Sequence, residues 1–209
     1  MATAGWTRKG VVLAFVLALG AFTASTSRAD LIGGLQQLVL PTCGTNSQTF
    51  SQFGDSSSYF GFPNNGFESG TSGWTVSRGA IVAGNEPWYV NGAGSHSLSL
   101  GPGGTAASPL VCISVVDPDW RMFVQSSGAN GALHAQVVFY GLLGNVTGVL
   151  NAADFNPSNF GSWGPSPTVN SLLALPLATR YAQLRLSYPG SSGSWQVDDV
   201  FVDPWAVRG

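Results

Sequence analysis

The sequence predicts an all-β sandwich, and three observations carry that prediction. Gly and Pro supply 28 and 12 of the 209 residues, a density that suits many short strands joined by turns. Charged helix formers are nearly absent: the one Lys is Lys9, and the only Glu are Glu68 and Glu86. Short apolar stretches recur between Gly, Pro, Asn and Ser clusters, and several alternate with a period of two. With 44% apolar residues and seven Trp, the chain has the material to bury a core rather than stay disordered.

At the N-terminus, Arg8 and Lys9 precede the uncharged apolar run Val11 to Ala24. Ser27-Arg28-Ala29 then offers small residues at the −3 and −1 positions of a cleavage site before Asp30. These are the three parts of a secretory signal peptide, expected over 1–29. The fourteen residues of the run fall short of the roughly 20 needed to span a bilayer. The mature form is therefore expected to be secreted, extracellular and off the membrane. It would carry five Arg, no Lys and ten Asp plus Glu over 180 residues, a net charge of −5. A nucleic-acid binder shows a basic face, so that class of partner is excluded.

Residues 30–62 are polar and turn-rich apart from Leu35 to Leu40, and read as an N-terminal extension too poor in apolar residues to fold alone. Cys43 and Cys112 are the only cysteines. In an oxidising compartment such a pair is expected to form one disulfide that pins the extension to the body. It would close a loop of about 70 residues and stabilise by roughly 4 kcal/mol in the chain-entropy model.

The domain proper is placed at 63–209. Strands are predicted at Trp74–Ser77, Ser97–Leu100, Leu110–Val115, Met122–Gln125, Leu133–Tyr140, Asn145–Leu150, Ser171–Leu175, Ala182–Tyr188 and Trp195–Val202. Leu98 and Leu100 alternate with Ser97 and Ser99; Leu133, Ala135, Val137 and Phe139 alternate with His134, Gln136, Val138 and Tyr140. Ala182, Leu184, Leu186 and Tyr188 alternate with Gln183, Arg185 and Ser187. Each pattern puts one strand face in a core and the other outside, and sheet packed on sheet satisfies many such strands.

Three segments, in order, carry a resemblance. They are Asn64-Asn65-Gly66-Phe67-Glu68-Ser69-Gly70 with Trp74, Gly94-Ser95-His96-Ser97-Leu98-Ser99-Leu100, and Trp195-Gln196-Val197-Asp198-Asp199-Val200. The set resembles the jelly-roll carbohydrate-binding modules of the cellulose- and xylan-binding type, families four, nine and twenty-two. Those modules open with NGxFE-x-G…W, continue with a SGxxSL-type strand and close with W-x-x-DDV. The match runs from about 64 to 203. Much of the chain is also similar to a set of secreted actinobacterial proteins that share CGT…FGD…Y, NEPWYV and DDVxVDP, a likeness to which no activity is attached.

The first resemblance implies a jelly-roll (galactose-binding-like) β-sandwich that binds a polysaccharide or cell-wall glycan. It also implies a structural calcium held by Glu68 and Asp198 or Asp199, with carbonyls near Ser95 as further ligands; all-oxygen donors suit that ion. The family stacks Trp or Tyr faces on sugar rings, and reads hydroxyls with polar side chains on the concave sheet, but its binding residues do not transfer by motif. The aromatic candidates here sit among Gly and Pro: Trp88 and Tyr89 in NEPWYV, Trp120 in DPDW, Trp163 in FGSWGP, and Phe155 with Phe160. The outward strand positions His134, Gln136, Tyr181, Gln183 and Arg185 are the polar candidates, whereas Trp74 and Trp195 are assigned to the core.

A glycoside hydrolase needs two placed carboxyl groups. Glu86 beside Trp88 is the best single candidate, and no partner for it is identifiable. GxSxG, HExxH and phosphate-cradling loops are absent. The expectation is a non-catalytic binding module. Two alternatives stay open: a structural extracellular or cell-surface protein that uses the same aromatics for protein contacts, and a polysaccharide-cleaving enzyme.

Overall fold

The computed structural model describes residues 45–113, 119–171 and 179–203. The signal peptide expected over 1–29, Cys43, and most of the strand predicted at Ser171–Leu175 lie outside the described residues, as do residues 114–118. Among the described residues there are two single-turn 3₁₀ segments and eleven strands, β1 Phe60–Gly61, β2 Thr75–Ala83, β3 His96–Ala107, β4 Val111–Cys112, β5 Asp119–Ser127, β6 Leu133–Gly141, β7 Val146–Phe155, β8 Gly164–Pro165, β9 Val169–Asn170, β10 Thr179–Tyr188 and β11 Ser194–Asp203. Among the described residues, no helix is long and apolar enough to cross a membrane.

The strands form two layers, and β2 and β3 belong to both. In the first layer β7, β6 and β10 pair in that order, and β10 continues onto the second half of β3, with Arg185 opposite Ala107 and Tyr188 opposite Gly104. In the second, the first half of β3 pairs with β11, Leu98 opposite Val197, and β11 pairs with β5. The crossing occurs at Gly101-Pro102-Gly103-Gly104. β2 follows it with a bulge at Arg78, which takes a positive φ of 50°. A Cβ on Gly104 would lie 2.9 Å from the Arg78 carbonyl oxygen, so the two strands turn together only with glycine there.

The core lies between the layers and collects the inward half of each alternation. Leu98 and Leu100 of β3 enter it, with Trp120, Met122 and Val124 of β5. Leu133, Ala135, Val137 and Phe139 of β6 lie beside Ala182, Leu184 and Leu186 of β10, and Trp195 and Val197 of β11 share the same core. Trp74 and Trp195 are both buried, as expected. The opening motif is a compact turn. Asn64 accepts from the Ser69 N–H and donates to the Gly70 carbonyl, while Phe67 packs on Trp74 with ring centroids 5.0 Å apart.

Residues 45–62 are built into this sandwich. β1 pairs with β11, and Phe60 and Phe62 sit in the main core. Phe50, Tyr59, Phe123 and Phe201 make a second buried cluster on the other side of the second layer. Phe50 stacks on Phe123 at 5.6 Å, and the Arg121 guanidinium lies 4.5 Å over the Phe50 ring. Arg121 also pairs with Asp55 at 2.8 Å, and Asp55 accepts from the Tyr59 hydroxyl. Burial alone would raise the Asp55 carboxyl, but the hydrogen bonds from Tyr59, Ser57 and Arg121 outweigh it and hold the group below its usual range.

Candidate functional site

The outer face of the first layer carries an open cleft of about 590 Å³. Its floor follows from strand register, because residues paired across strands share a face. Asp154 of β7 lies opposite His134 of β6, His134 opposite Ser187 of β10, and Ser187 opposite Thr105 of β3. Asn151, Gln136, Arg185, Ala107 and Thr75 form the neighbouring row. Both rows line the cleft. His134 Nδ1 lies 2.5 Å from Asp154 Oδ1, and Gln136 Nε2 donates to Asn151 Oδ1 at 3.0 Å. Arg185 donates from Nε to Gln183 Oε1 at 3.1 Å and from Nη2 to the Tyr140 hydroxyl at 3.2 Å.

The structure thus brings Gln136 and Arg185 side by side, with His134, and leaves Tyr181 outside the cleft. Tyr181 lies opposite Tyr140 and Cys112 at the far end of the same face. Among the described residues, no Trp, Tyr or Phe lines the cleft.

The aromatic candidates divide differently. Trp88 and Tyr89, 37% and 55% exposed, project from the loop after β2 onto the second layer. Trp88 packs on Phe53 at 5.3 Å and on Phe123 at 5.4 Å, and half-buried Trp163 rests on the same cluster. Trp120 does not belong with them. It is fully buried, packs on Phe62 at 5.7 Å and donates its indole N–H to Ser171 Oγ at 3.0 Å. Phe155 and Phe160 are likewise buried and meet edge to face at 5.9 Å. Three of the loop aromatics read as surface platforms are therefore core plugs.

Under the Trp88 loop lies a group of buried acids that includes a residue the motif did not supply. Glu86 is fully buried, accepts from the Trp88 and Val90 N–H groups, and donates its own N–H to Asp198 Oδ2 at 3.0 Å. Asp199 follows in the left-handed conformation, φ 48°, where β11 bulges against β5. Its Oδ1 would lie 2.9 Å from a Cβ on Gly66, which accounts for the glycine of the opening motif. Burial, then the neighbouring Asp199 charge, pushes Asp198 up to about 8. Burial, then the Glu86 charge, pushes Asp199 up to about 7. Asp199 Oδ2 is buried without a hydrogen-bond partner.

Glu68 lies at the edge of this acidic group, engaged by the Ser95–His96 segment. Its carboxylate accepts from the Ser95 and His96 N–H groups at 2.7 and 2.8 Å and meets His96 Nδ1 at 3.0 Å. Its slight desolvation is outweighed by these bonds, and the group is held at about 2. Glu68 and Asp199 do line one small cavity of about 30 Å³ with Asn85 and Asn91. Among the described residues no three His, Cys, Asp or Glu side chains gather in a ready metal cage. The donors at hand are nevertheless all oxygen, and one is an orphaned buried carboxylate oxygen, a chemistry that suits a hard cation.

No protein-family model and no curated protein matches the chain. Solved structures do. A structure described as "Family 16 Carbohydrate Binding Module-2" is 15% identical over 68% of this chain and 97% of its own, with a TM-score of 0.50. The enzymatically active domain of tailspike protein 4 of bacteriophage CBA120 is 11% identical over 68% of this chain, also at 0.50. This chain spans 21% of that domain's length. TmCBM61, solved in complex with β-1,4-galactotriose, is 16% identical over 68% of this chain and 97% of its own, at 0.45. At these identities the likeness shows the fold: a jelly-roll β-sandwich shared with carbohydrate-binding modules.

Proposed function

We propose that the mature chain is a secreted, non-catalytic module that binds a polysaccharide in the cleft on the first layer. The observation that carries this reading is the pair of polar rows running across the strands. Strand spacing of about 4.8 Å makes five strands roughly 19 Å across, and rows two residues apart lie about 7 Å apart, a floor long enough for several sugar rings. Amide, imidazole, guanidinium and hydroxyl groups alternate along it, the complement of a chain of hydroxyls. The shared fold with a carbohydrate-binding module supports the reading by analogy. Among the described residues, Asp154 is the one carboxylate in the lining and is already engaged by His134, whereas glycoside hydrolysis calls for two, which favours binding over cleavage.

Affinity electrophoresis and calorimetry against soluble β-glucans, xylans, galactans, acidic polysaccharides and cell-wall fragments test this. Wild type is expected to be retarded by at least one. Gln136→Ala removes a hydrogen-bonding group worth about 1 kcal/mol and is expected to weaken binding several-fold. Undiminished binding by that variant, with loss in Trp88→Ala, would move the site to the exposed Trp88–Tyr89 loop. Failure to bind any of these polymers leaves the structural, cell-surface reading as the better one.

Two supporting devices belong to the same proposal. A Ca²⁺ ion in the small cavity lined by Asp199, Glu68, Asn85 and Asn91 would supply positive charge beside the buried acids, and would tie β11 to the loop after β2. A disulfide from Cys43 to Cys112 would anchor the extension beside Tyr181, since Cys112 of β4 lies opposite that residue. Thiol labelling of denatured, unreduced secreted protein is expected to find no free cysteine; two labelled thiols would remove the staple.

A further inference from the structure

We infer that the ligand of this cleft is an anionic polysaccharide and that Arg185 reads its oxyanion. The inference rests on the cleft being the glycan site and adds the chemical class of the glycan. Arg185 stands exposed on β10, and its guanidinium is oriented by two neutral acceptors, Gln183 Oε1 and the Tyr140 hydroxyl, which are themselves 3.3 Å apart. Its Nη1 has no protein partner among the described residues.

Arg78, Arg180 and Arg185 all stand outside the ion pairs of the described residues, and of the three only Arg185 lines the cleft. Ion pairs among the described residues join His96 to Glu68, Arg121 to Asp55 and His134 to Asp154, and none includes Arg185. In a mature chain with five Arg against ten acids, a cation fixed in the cleft without a counter-ion runs against the net charge. Asp154, the acid of the cleft, sits one row and two strands away, roughly 12 Å by strand geometry and about one Debye length. It is also tied to His134.

A guanidinium presents forked N–H donors that match a planar or tetrahedral oxyanion, and charge-assisted bonds of this kind are about twice as strong as neutral ones. Gln136 lies directly opposite Arg185 and adds an amide to the same spot. Among the described residues no Trp, Tyr or Phe lines the cleft, so no large aromatic platform is at hand there and the charged contact is the strongest available. The shared chemistry is an oxyanion on a sugar chain, either the carboxylate of a uronic acid or a sulfate ester.

Calorimetry on the intact mature protein, at low and at physiological salt, distinguishes the cases. The probes are polygalacturonate and alginate for the carboxylate, dextran sulfate for the ester, and β-glucan and arabinoxylan as neutral chains. Wild type is expected to prefer one anionic class over neutral chains by tenfold or more, and to lose that preference as salt rises. In Arg185→Gln, shown to be folded by its unchanged melting transition, the preference is expected to fall to about one. Arg185→Lys is expected to keep part of it. Equal wild-type affinity for neutral and anionic chains, or a preference that survives in Arg185→Gln, overturns the inference while leaving the cleft as a glycan site. Absence of binding to every probe overturns both.

Discussion

Replacing Trp120 with alanine is expected to destabilise the protein by about 3–5 kcal/mol, the usual range for removing a large aromatic from a packed core. The indole is fully buried between the layers, against Phe62, and its backbone pairs with Val202 on one side and Val169 on the other. Its loss opens a cavity that two hydrogen-bonded sheets cannot easily collapse into, and it strips Ser171 Oγ of a donor at 3.0 Å. Trp120→Phe keeps most of the ring and should cost about 1–2 kcal/mol, part of it the lost hydrogen bond. Trp88→Ala removes a ring that already meets solvent and is expected to cost less than Trp120→Ala. Urea unfolding at constant m-value measures all three. A Trp120→Ala protein with the wild-type midpoint would mean that the indole is not a core residue.

That contrast also shows what local sequence could and could not give. Asp117, Pro118 and Asp119 before it give Trp120 the local pattern of a loop aromatic. Yet Trp120, Met122 and Val124 alternate with Arg121 and Phe123 with a period of two, and this signal places the indole inside. Alternation worked well on β6 and β10, where it gave both the core residues and the outward positions Gln136 and Arg185 that meet in the cleft. It gave little on β2, whose residues are mostly exposed or half-buried on both faces, and on β3, where Gly101 to Gly104 look like a turn but continue the strand from one layer into the other. Asn151 and Asp154 escaped for a similar reason: the β6–β7 pairing shifts register twice, so no simple alternation runs along β7. The acidic group was half legible. The motif ends announce Glu68, Asp198 and Asp199, but Glu86 meets Asp198 across 112 positions, and no local pattern encodes that contact. Glu68 in turn accepts from backbone N–H groups of Ser95 and His96, which the spacing of the motif does not reveal.

In the presence of EDTA, stability is expected to fall as pH rises from about 5 through about 8, and Ca²⁺ is expected to abolish that fall. Asp198 at about 8 and Asp199 at about 7 bind protons more tightly in the folded protein than in the unfolded chain, where such groups titrate near 3.8. When the folded state holds more protons than the unfolded state, the free energy of unfolding decreases with pH. The contribution is therefore complete below about 4 and is lost as pH climbs through the two folded values. Physically, raising the pH forces charge onto carboxyls that water does not reach, beside Glu86 and with Asp199 Oδ2 lacking a hydrogen-bond donor. A bound divalent cation replaces the missing protons, so the profile flattens and the melting temperature at pH 8 rises with Ca²⁺ by mass action on the folded state. Glu68 acts in the opposite sense, since its depressed value of about 2 favours folding above its ordinary range and is lost only in acid; being largely exposed, it contributes little. Asp199→Asn removes one buried charge and is expected to flatten the EDTA profile while blunting the Ca²⁺ response. Thermal melts at pH 5, 6.5 and 8, with EDTA or with excess Ca²⁺, provide the test. A flat profile in EDTA would show that the acids are relieved without an ion, and a steep profile that Ca²⁺ leaves unchanged would keep the strained carboxyls but remove the cation.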